Sequence, residues 1–176
     1  MTKKFVILCL LFLFAAIPAQ ANDDVDYKAK FIIKLLNYVD WPSGAGTNGS
    51  GAIVINVLGG SAITPKLTAL AAKKTASGTA VTIKEVTIDD NIADCQILYM
   101  GTKETSDLAK VLKKVNGTTA LTVSDAEYFG NYGVMINFFA EEKGGKKKTK
   151  FEINKTVADM AGLKISSKLL KLAKII

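Results

Sequence analysis

The densest group of chemically capable side chains is Ser166-Ser167-Lys168, two hydroxyls beside an amine. A serine–lysine hydrolase needs that amine buried and deprotonated against the nucleophilic hydroxyl. Lys164 and Lys171 crowd the trio instead, and the S-x-x-K spacing occurs nowhere in the chain. The simpler reading is a helix start, with Ser166 as its cap and lysines bordering an apolar stripe of Leu169, Leu172 and Ala173. The 176 residues include no histidine, which removes Ser-His-Asp and Cys-His catalysis and imidazole metal ligation. Asp89-Asp90 and Glu141-Glu142 pair carboxylates, but adjacent strand residues point to opposite faces, so both pairs read as turn residues. Gly59-Gly60-Ser61 follows a strand and precedes a helix, where an anion could settle. The string VLGGSAITPK matches neither G-x-G-x-x-G nor G-x-x-x-x-G-K-[ST], and a plain βα turn accounts for it. No catalytic residue, metal or cofactor is assigned on these grounds. A small ligand at the carboxyl ends of the strands is left open.

The first 21 residues carry a different kind of information. Lys3 and Lys4 precede an almost wholly apolar run from Phe5 to Ile17, and Ala19-Gln20-Ala21 is a small-x-small site. That is the pattern of a secretory signal peptide, cleaved after Ala21. Its removal leaves residues 22–176 as one exported domain with no later run of about 18 apolar residues. Cys9 departs with the signal, so Cys95 stands alone and cannot form an internal disulfide. Without histidine to activate it, Cys95 reads as a small buried apolar group.

The charge is basic and carried by lysine alone. Twenty-three lysines oppose 16 acidic residues, and the net charge of +7 falls to +5 once Lys3 and Lys4 leave. Arginine, which reads phosphates and guanines with two parallel bonds, is absent, so nucleic acid is not an expected partner. The densest cluster, Lys143 with Lys146, Lys147 and Lys148 around Gly144-Gly145, reads as a solvated hairpin tip.

The elements that position these residues follow from periodicity. Apolar residues at 25, 29, 32, 36 and 39 predict a helix over Val25–Val39, ended by Trp41-Pro42. Ser43–Gly51 reads as a loop, Ala52–Leu58 as a buried strand, and Thr64-Pro65 as the cap and first residue of a helix to about Lys74. Val81–Ile88 and Cys95–Met100 read as strands, Thr102–Val115 as a helix stopped by Asn116-Gly117, and Ala120–Val123 as a strand. Ser124–Gly130 is a short helix or loop. Val134–Ala140 and Thr149–Ile153 form a hairpin, and Lys155–Met160 and Ser166–Lys174 close the chain as helices around Gly162. The expected fold is α/β: a single domain with a mixed, mostly parallel sheet flanked by helices, a Rossmann-like or half-flavodoxin-like three-layer arrangement with a C-terminal antiparallel hairpin.

One aromatic string remains. Tyr128, Phe129, Tyr132, Phe138 and Phe139 fall within SDAEYFGNYGVMINFF. Part of it must be core, while tyrosines beside glycines on a loop are typical of binding surfaces.

Read together, four stretches resemble the YfiR/HmsC-like periplasmic family. They are KAKFIIKLLNYVDWP (Lys28–Pro42), DCQILYMG (Asp94–Gly101), LTVSDAEYFGNYGVMINFF (Leu121–Phe139) and KFEINKTVADMAGLKISSKLLKLAK (Lys150–Lys174). The resemblance implies a small periplasmic α/β protein without enzyme activity. Its best-known relatives bind the periplasmic sensor domain of an inner-membrane diguanylate cyclase, hold cyclic-di-GMP output down and restrain biofilm formation. Asp125, Phe129, Asn137, Phe151 and Asn154 match family positions. Two departures stand out: Cys95 has no partner for a redox switch, and Gly133-Val134 replaces a glycine pair before MINF.

The expected partner is therefore the periplasmic sensor domain of a membrane protein, a diguanylate cyclase or a histidine kinase. A homodimer and a small ligand are left open. The expected contact residues are those five with Tyr128 and Tyr132 of the aromatic loop and Ser166 and Lys168 of the C-terminal segment. The competing function is a periplasmic small-molecule-binding accessory protein, with a pocket between Gly59–Ser61 and the aromatic loop.

Overall fold

The computed structural model describes residues 19–43, 51–59, 62–103 and 105–176. Residues 1–18 of the expected signal segment lie outside the described residues, and Ala19–Ala21 open the first helix. Among the described residues no helix is long and apolar enough to cross a membrane.

Helix α1 covers Ala19–Leu35. Its inward stripe of Ala29, Ile32 and Leu35 is fully buried. The helix stops four residues short of the expected Val39. Val39-Asp40 is a two-residue strand, β1, pairing antiparallel with β8, Lys164-Ile165. The residue before a proline avoids the helical region, and here the extended chain gains a partner: Ser166 N–H donates to Tyr38 C=O at 2.8 Å.

Strand β2 (Ile53–Leu58) leads into helix α2 (Ile63–Ala76) and strand β3 (Val81–Val86). Ala62, not Thr64, occupies the cap position of α2, and Pro65 sits in the first turn, where its missing N–H costs nothing. An irregular segment then reaches β4 (Ile97–Met100), helix α3 (Thr105–Val115) and β5 (Leu121–Ser124). A short 3₁₀ turn at Phe129–Tyr132 precedes the hairpin of β6 (Ile136–Lys143) and β7 (Lys146–Ile153).

The C-terminus departs from expectation. Helix α4 (Lys155–Met160) forms, but the second helix shrinks to one turn, α5 (Ser167–Leu170). Lys174-Ile175 then becomes strand β9, parallel to β7. The apolar stripe is correspondingly broken: Leu169 is buried, while Leu172 is 74% exposed. The outer edge of β7 offers backbone partners, and Lys174 gains an ion pair with Glu152 at 3.2 Å, so the tail completes the sheet instead of continuing a helix.

The main sheet runs β3-β2-β4-β5-β6-β7-β9, parallel from β3 through β6 and antiparallel between β6 and β7. It is the expected mixed, mostly parallel three-layer α/β domain. One face packs Ile55, Val57, Ile97 and Val123 against α1 and α2. The other packs Val54, Leu98 and Met100 against α3 and the segment after β3.

Candidate binding site

The site begins where β5 ends. Strand β5 pairs with β6 only through Val123↔Ile136 and Ser124↔Asn137. At Asp125 the chain turns away because the carboxylate has a partner elsewhere: Lys28 of α1 lies 2.8 Å from Asp125 and 2.6 Å from Asp24. The Thr149 hydroxyl donates to the Asp24 carboxylate, and Tyr99 reaches Asp125 with its hydroxyl. One half-buried lysine thus bridges two carboxylates and ties α1 to the carboxyl ends of β4 and β5.

Burial works against each charge in this cluster, and the pairing overcomes it. Burial alone would lower the Lys28 pKa, but Asp125 and Asp24 hold it above the ordinary lysine value. Burial would likewise raise Asp24, yet Lys28 and Thr149 bring it below the ordinary aspartate value. Tyr99 is pushed well above the usual phenol range, first by burial and then by Asp125.

Beyond Asp125 the loop bends through Tyr128, the one described non-glycine residue with positive φ, at 66°. An aromatic residue there carries backbone strain that its surroundings must hold. The hold is visible. Phe129 is 1% exposed and packs in the second core. Asn131 N–H donates to Tyr128 C=O at 3.0 Å, and Asn154 Nδ2 donates to Gly130 C=O at 3.2 Å. Asn154 also caps α4 by accepting from Val157 N–H at 3.1 Å. The result is a fixed loop that holds Tyr128 and Tyr132 outward, each 60% exposed.

Beneath the loop lies a polar row on one sheet face. Asn137 Nδ2 donates to Glu152 at 3.4 Å, and Glu152 pairs with Lys174. Gly130 leaves room for this row: a Cβ there would stand 2.5 Å from Glu152 Oε1 and oblige the Glu152 side chain to shift. Asn137 Oδ1 is buried with no hydrogen-bond partner among the described residues. A cleft of 590 Å³ borders Asp125, Tyr128, Asn137, Glu152 and Lys174.

The structure sorts the expected contact residues. Tyr128 and Tyr132 are on the surface, and Asp125 lines the cleft. Phe129, Asn137 and Phe151, expected at a binding surface, lie in the interior at 1%, 1% and 6% exposure. Their side chains are too apolar, or too well placed under a loop, to stay outside. The Phe151 ring packs against Phe31 at a tilt of 50°, with centroids 4.4 Å apart. Asn154 positions the loop. Ser166 accepts from Leu169 N–H at 3.3 Å, the cap expected of it. Lys168 lines a separate groove of 240 Å³ with Tyr27, Tyr38 and Leu172. The aromatic loop and the C-terminal segment therefore present two patches whose grooves share no residue.

Of the competing pocket, Gly59 borders a cleft of 410 Å³ with Thr102 and Asp107, while residues 60 and 61 lie outside the described residues. Cys95 is buried, donates to Ile92 C=O, and is pushed up to about 12 by burial. Lys28, Tyr99, Glu152 and Lys174 were missed by sequence reasoning. Lys28 alone left a local signal, a charge beside the apolar stripe of α1 with Asp24 four residues before it.

Comparison with known proteins places this geometry. No curated protein matches the sequence significantly. Among solved structures, a conserved domain protein from Vibrio cholerae O1 biovar El Tor superposes with a TM-score of 0.56 at 17% identity, covering 86% of this chain and 59% of that one. An ABC domain from Streptococcus pneumoniae, solved in complex with L-Trp, gives 0.51 at 14% identity, covering 73% and 56%. The chain thus spans under two thirds of either protein, and at these identities the likeness is one of fold. The YfiR/HmsC-like profile matches residues 25–174, from the first full turns of α1 to the start of β9. That match takes in Lys28 and Asp125 of the ionic cluster, the aromatic loop and the C-terminal turn, and the chain belongs to the YfiR/HmsC-like family.

Proposed function

We propose that this protein is a periplasmic regulator that docks on the sensor domain of a membrane-anchored signalling protein, a diguanylate cyclase or a histidine kinase, and holds its output down. Family membership supports a regulatory role in cyclic-di-GMP signalling. The observation that carries the reading is the pair of exposed tyrosines on a loop whose interior side is locked by Phe129 and Asn154. A rigid aromatic surface loses little entropy on binding, which is what a docking element needs. Docking represses by preferring the sensor's inactive conformation, and it shifts that equilibrium only by its differential affinity for the two states.

The reading assigns no catalytic step to the chain. It places the protein in the periplasm after cleavage behind Ala21, and N-terminal sequencing of the exported protein should begin at Asn22. Pull-down with periplasmic domains of candidate cyclases and kinases should recover a partner, and deletion should raise cyclic-di-GMP. Failure of both removes the reading.

The second reading, a small-molecule-binding accessory protein, draws on the 590 Å³ cleft and on the buried Asn137 Oδ1, which has no donor among the described residues. A thermal-shift screen against periplasmic metabolites tests it, and no stabilisation by any compound removes it.

A further inference from the structure

Strand β6 outlasts its neighbour. After Ser124↔Asn137 no described strand lies on the β5 side of β6, although β6 continues to Lys143. The direction of its free groups follows from one bond. Asn154 N–H donates to Met135 C=O, so Met135 faces β7. In an antiparallel pair the facing alternates, so Asn137, Phe139 and Glu141 also turn to β7. Ala140 and Glu142 then direct their N–H and C=O groups to the open side, and Ala140 is exposed.

Two clefts meet at this edge. The 590 Å³ cleft lies on the side of Glu152 and Tyr128, and a second of 360 Å³ on the side of Asp24 and Thr149. Both border Phe138, Phe139 and Ala140, and both border Asp125, just past the end of β5. The open space therefore wraps the edge from both faces of the sheet.

The charge around it is uneven. Asp24 and Asp125 are taken by Lys28, Glu152 by Lys174 and Glu141 by Lys150, while Glu127 on the larger cleft and Glu142 on the edge have no ion pair among the described residues. Lys147 and Lys148 border the clefts with no ion pair among the described residues. Across residues 141–150, five lysines oppose two glutamates.

The geometry points to strand addition: the β6 edge from Ala140 to Lys143 takes an extended, acidic segment of a partner protein, laid in line with β5. Main-chain bonds to Ala140 and Glu142 hold the segment, and its carboxylates meet Lys147 and Lys148. This deepens the regulatory reading by naming a docking surface, and rests on that reading for the partner but not for the edge.

The test uses the full exported chain and a labelled twelve-residue peptide alternating valine and glutamate, followed by fluorescence anisotropy. Three changes should each weaken binding tenfold or more: Ala140→Pro, which removes one outward N–H while leaving the β7 pairing intact; N-methylation of alternate peptide residues, which leaves the protein untouched; and Lys147→Glu with Lys148→Glu, which should also abolish the salt dependence. The proposal is overturned by no binding, or by equal binding of the N-methylated peptide. Self-association of the wild type that Ala140→Pro abolishes also overturns it, since a second copy then occupies the edge. Cyclase repression that survives Ala140→Pro overturns it too, and leaves the regulatory reading standing. Edge-dependent peptide binding with unchanged cyclic-di-GMP on deletion upholds the surface and removes the regulatory reading instead.

Discussion

The two halves of the sheet are built differently. In β2 and β4 nearly every residue is apolar and buried on both faces: Val54, Ile55, Val57 and Leu58, then Ile97, Leu98, Tyr99 and Met100. In β5, β6 and β7 one face stays apolar and the other carries Thr122, Ser124, Asn137 and Glu152, all buried. The difference tracks what lies on top. A helix satisfies its own backbone and asks only for apolar contact, whereas a loop brings N–H and C=O groups with no partners of their own. The sheet supplies them. Thr122 Oγ1 accepts from Met135 N–H, and Ser124 Oγ from Ala126 N–H. Asn154, at the end of β7, donates to Gly130 C=O. Asn56, the polar exception in β2, donates to Ile92 C=O in the irregular segment after β3. Buried polar residues here mark loops held in place, and the loop over β5–β7 is the one that presents the tyrosines.

The sharpest way to break this contrast is to remove the loop's anchor. Phe129→Ala should cost about 4 kcal/mol, read as a lower midpoint in denaturant melts. Tyr132→Ala, three residues on, should leave the midpoint unchanged and weaken partner capture. Equal stability losses for the two would mean that the loop is not divided into anchor and surface.

The ionic cluster gives the next largest effect. Lys28→Met leaves Asp24 and Asp125 without their shared cation and should cost about 3 kcal/mol. The pH profile of the wild type carries the same information. Asp24 has a lowered pKa, so its contribution is complete above the ordinary value of 3.8 and is lost as pH falls through the folded value. Lys28 has a raised pKa, so its contribution is complete below 10.5 and is lost as pH rises through the folded value. Burial also raises Cys95 from 9.0 and Tyr99 from 10.0, so stability should be level only between 3.8 and 9.0 and fall outside that range. In melts taken across pH, Lys28→Met should make the acid limb shallower and leave the alkaline decline from Cys95 and Tyr99 in place.

Asn154→Ala removes a helix cap and the loop tie together and should cost about 1.5 kcal/mol. Ser166→Ala removes a cap alone, on a one-turn helix, and should cost about 0.5 kcal/mol. A reversed order in chemical denaturation would place the weight on the C-terminal turn. The smallest effect is expected at Tyr128. A glycine accepts φ of 66° without penalty, so Tyr128→Gly should be neutral or stabilise by up to about 1 kcal/mol, while partner capture falls. A stabilised protein that captures poorly would mark the strain as functional.

Much of the framework was legible from the sequence. The apolar runs at Ile53–Leu58 and Ile97–Met100 and the helical stripe of α3 are legible locally, because a strand buried on both faces reads as a continuous apolar run and a helix buried on one face as a regular stripe. Ser166 read as a cap because capping is local. The misreadings are non-local. The tail from Lys171 has a helical pattern, yet the unpaired edge of β7 and Glu152 draw Lys174-Ile175 into a strand. Val39-Asp40 leaves its helix to pair with Lys164-Ile165, in the register Val39↔Ile165 and Asp40↔Lys164.

By itself the sequence determined the layers, the basic charge without arginine, the absence of imidazole chemistry and the family motifs. Only the tertiary structure decided which members of SDAEYFGNYG are anchor and which are surface, since Tyr128 and Phe129 are neighbours of similar size and burial separates them. It also decided that Lys28 meets Asp125 across 97 positions, and that β6 runs past the end of β5. Ion pairing and strand ends depend on what the fold brings alongside, and no local pattern records it.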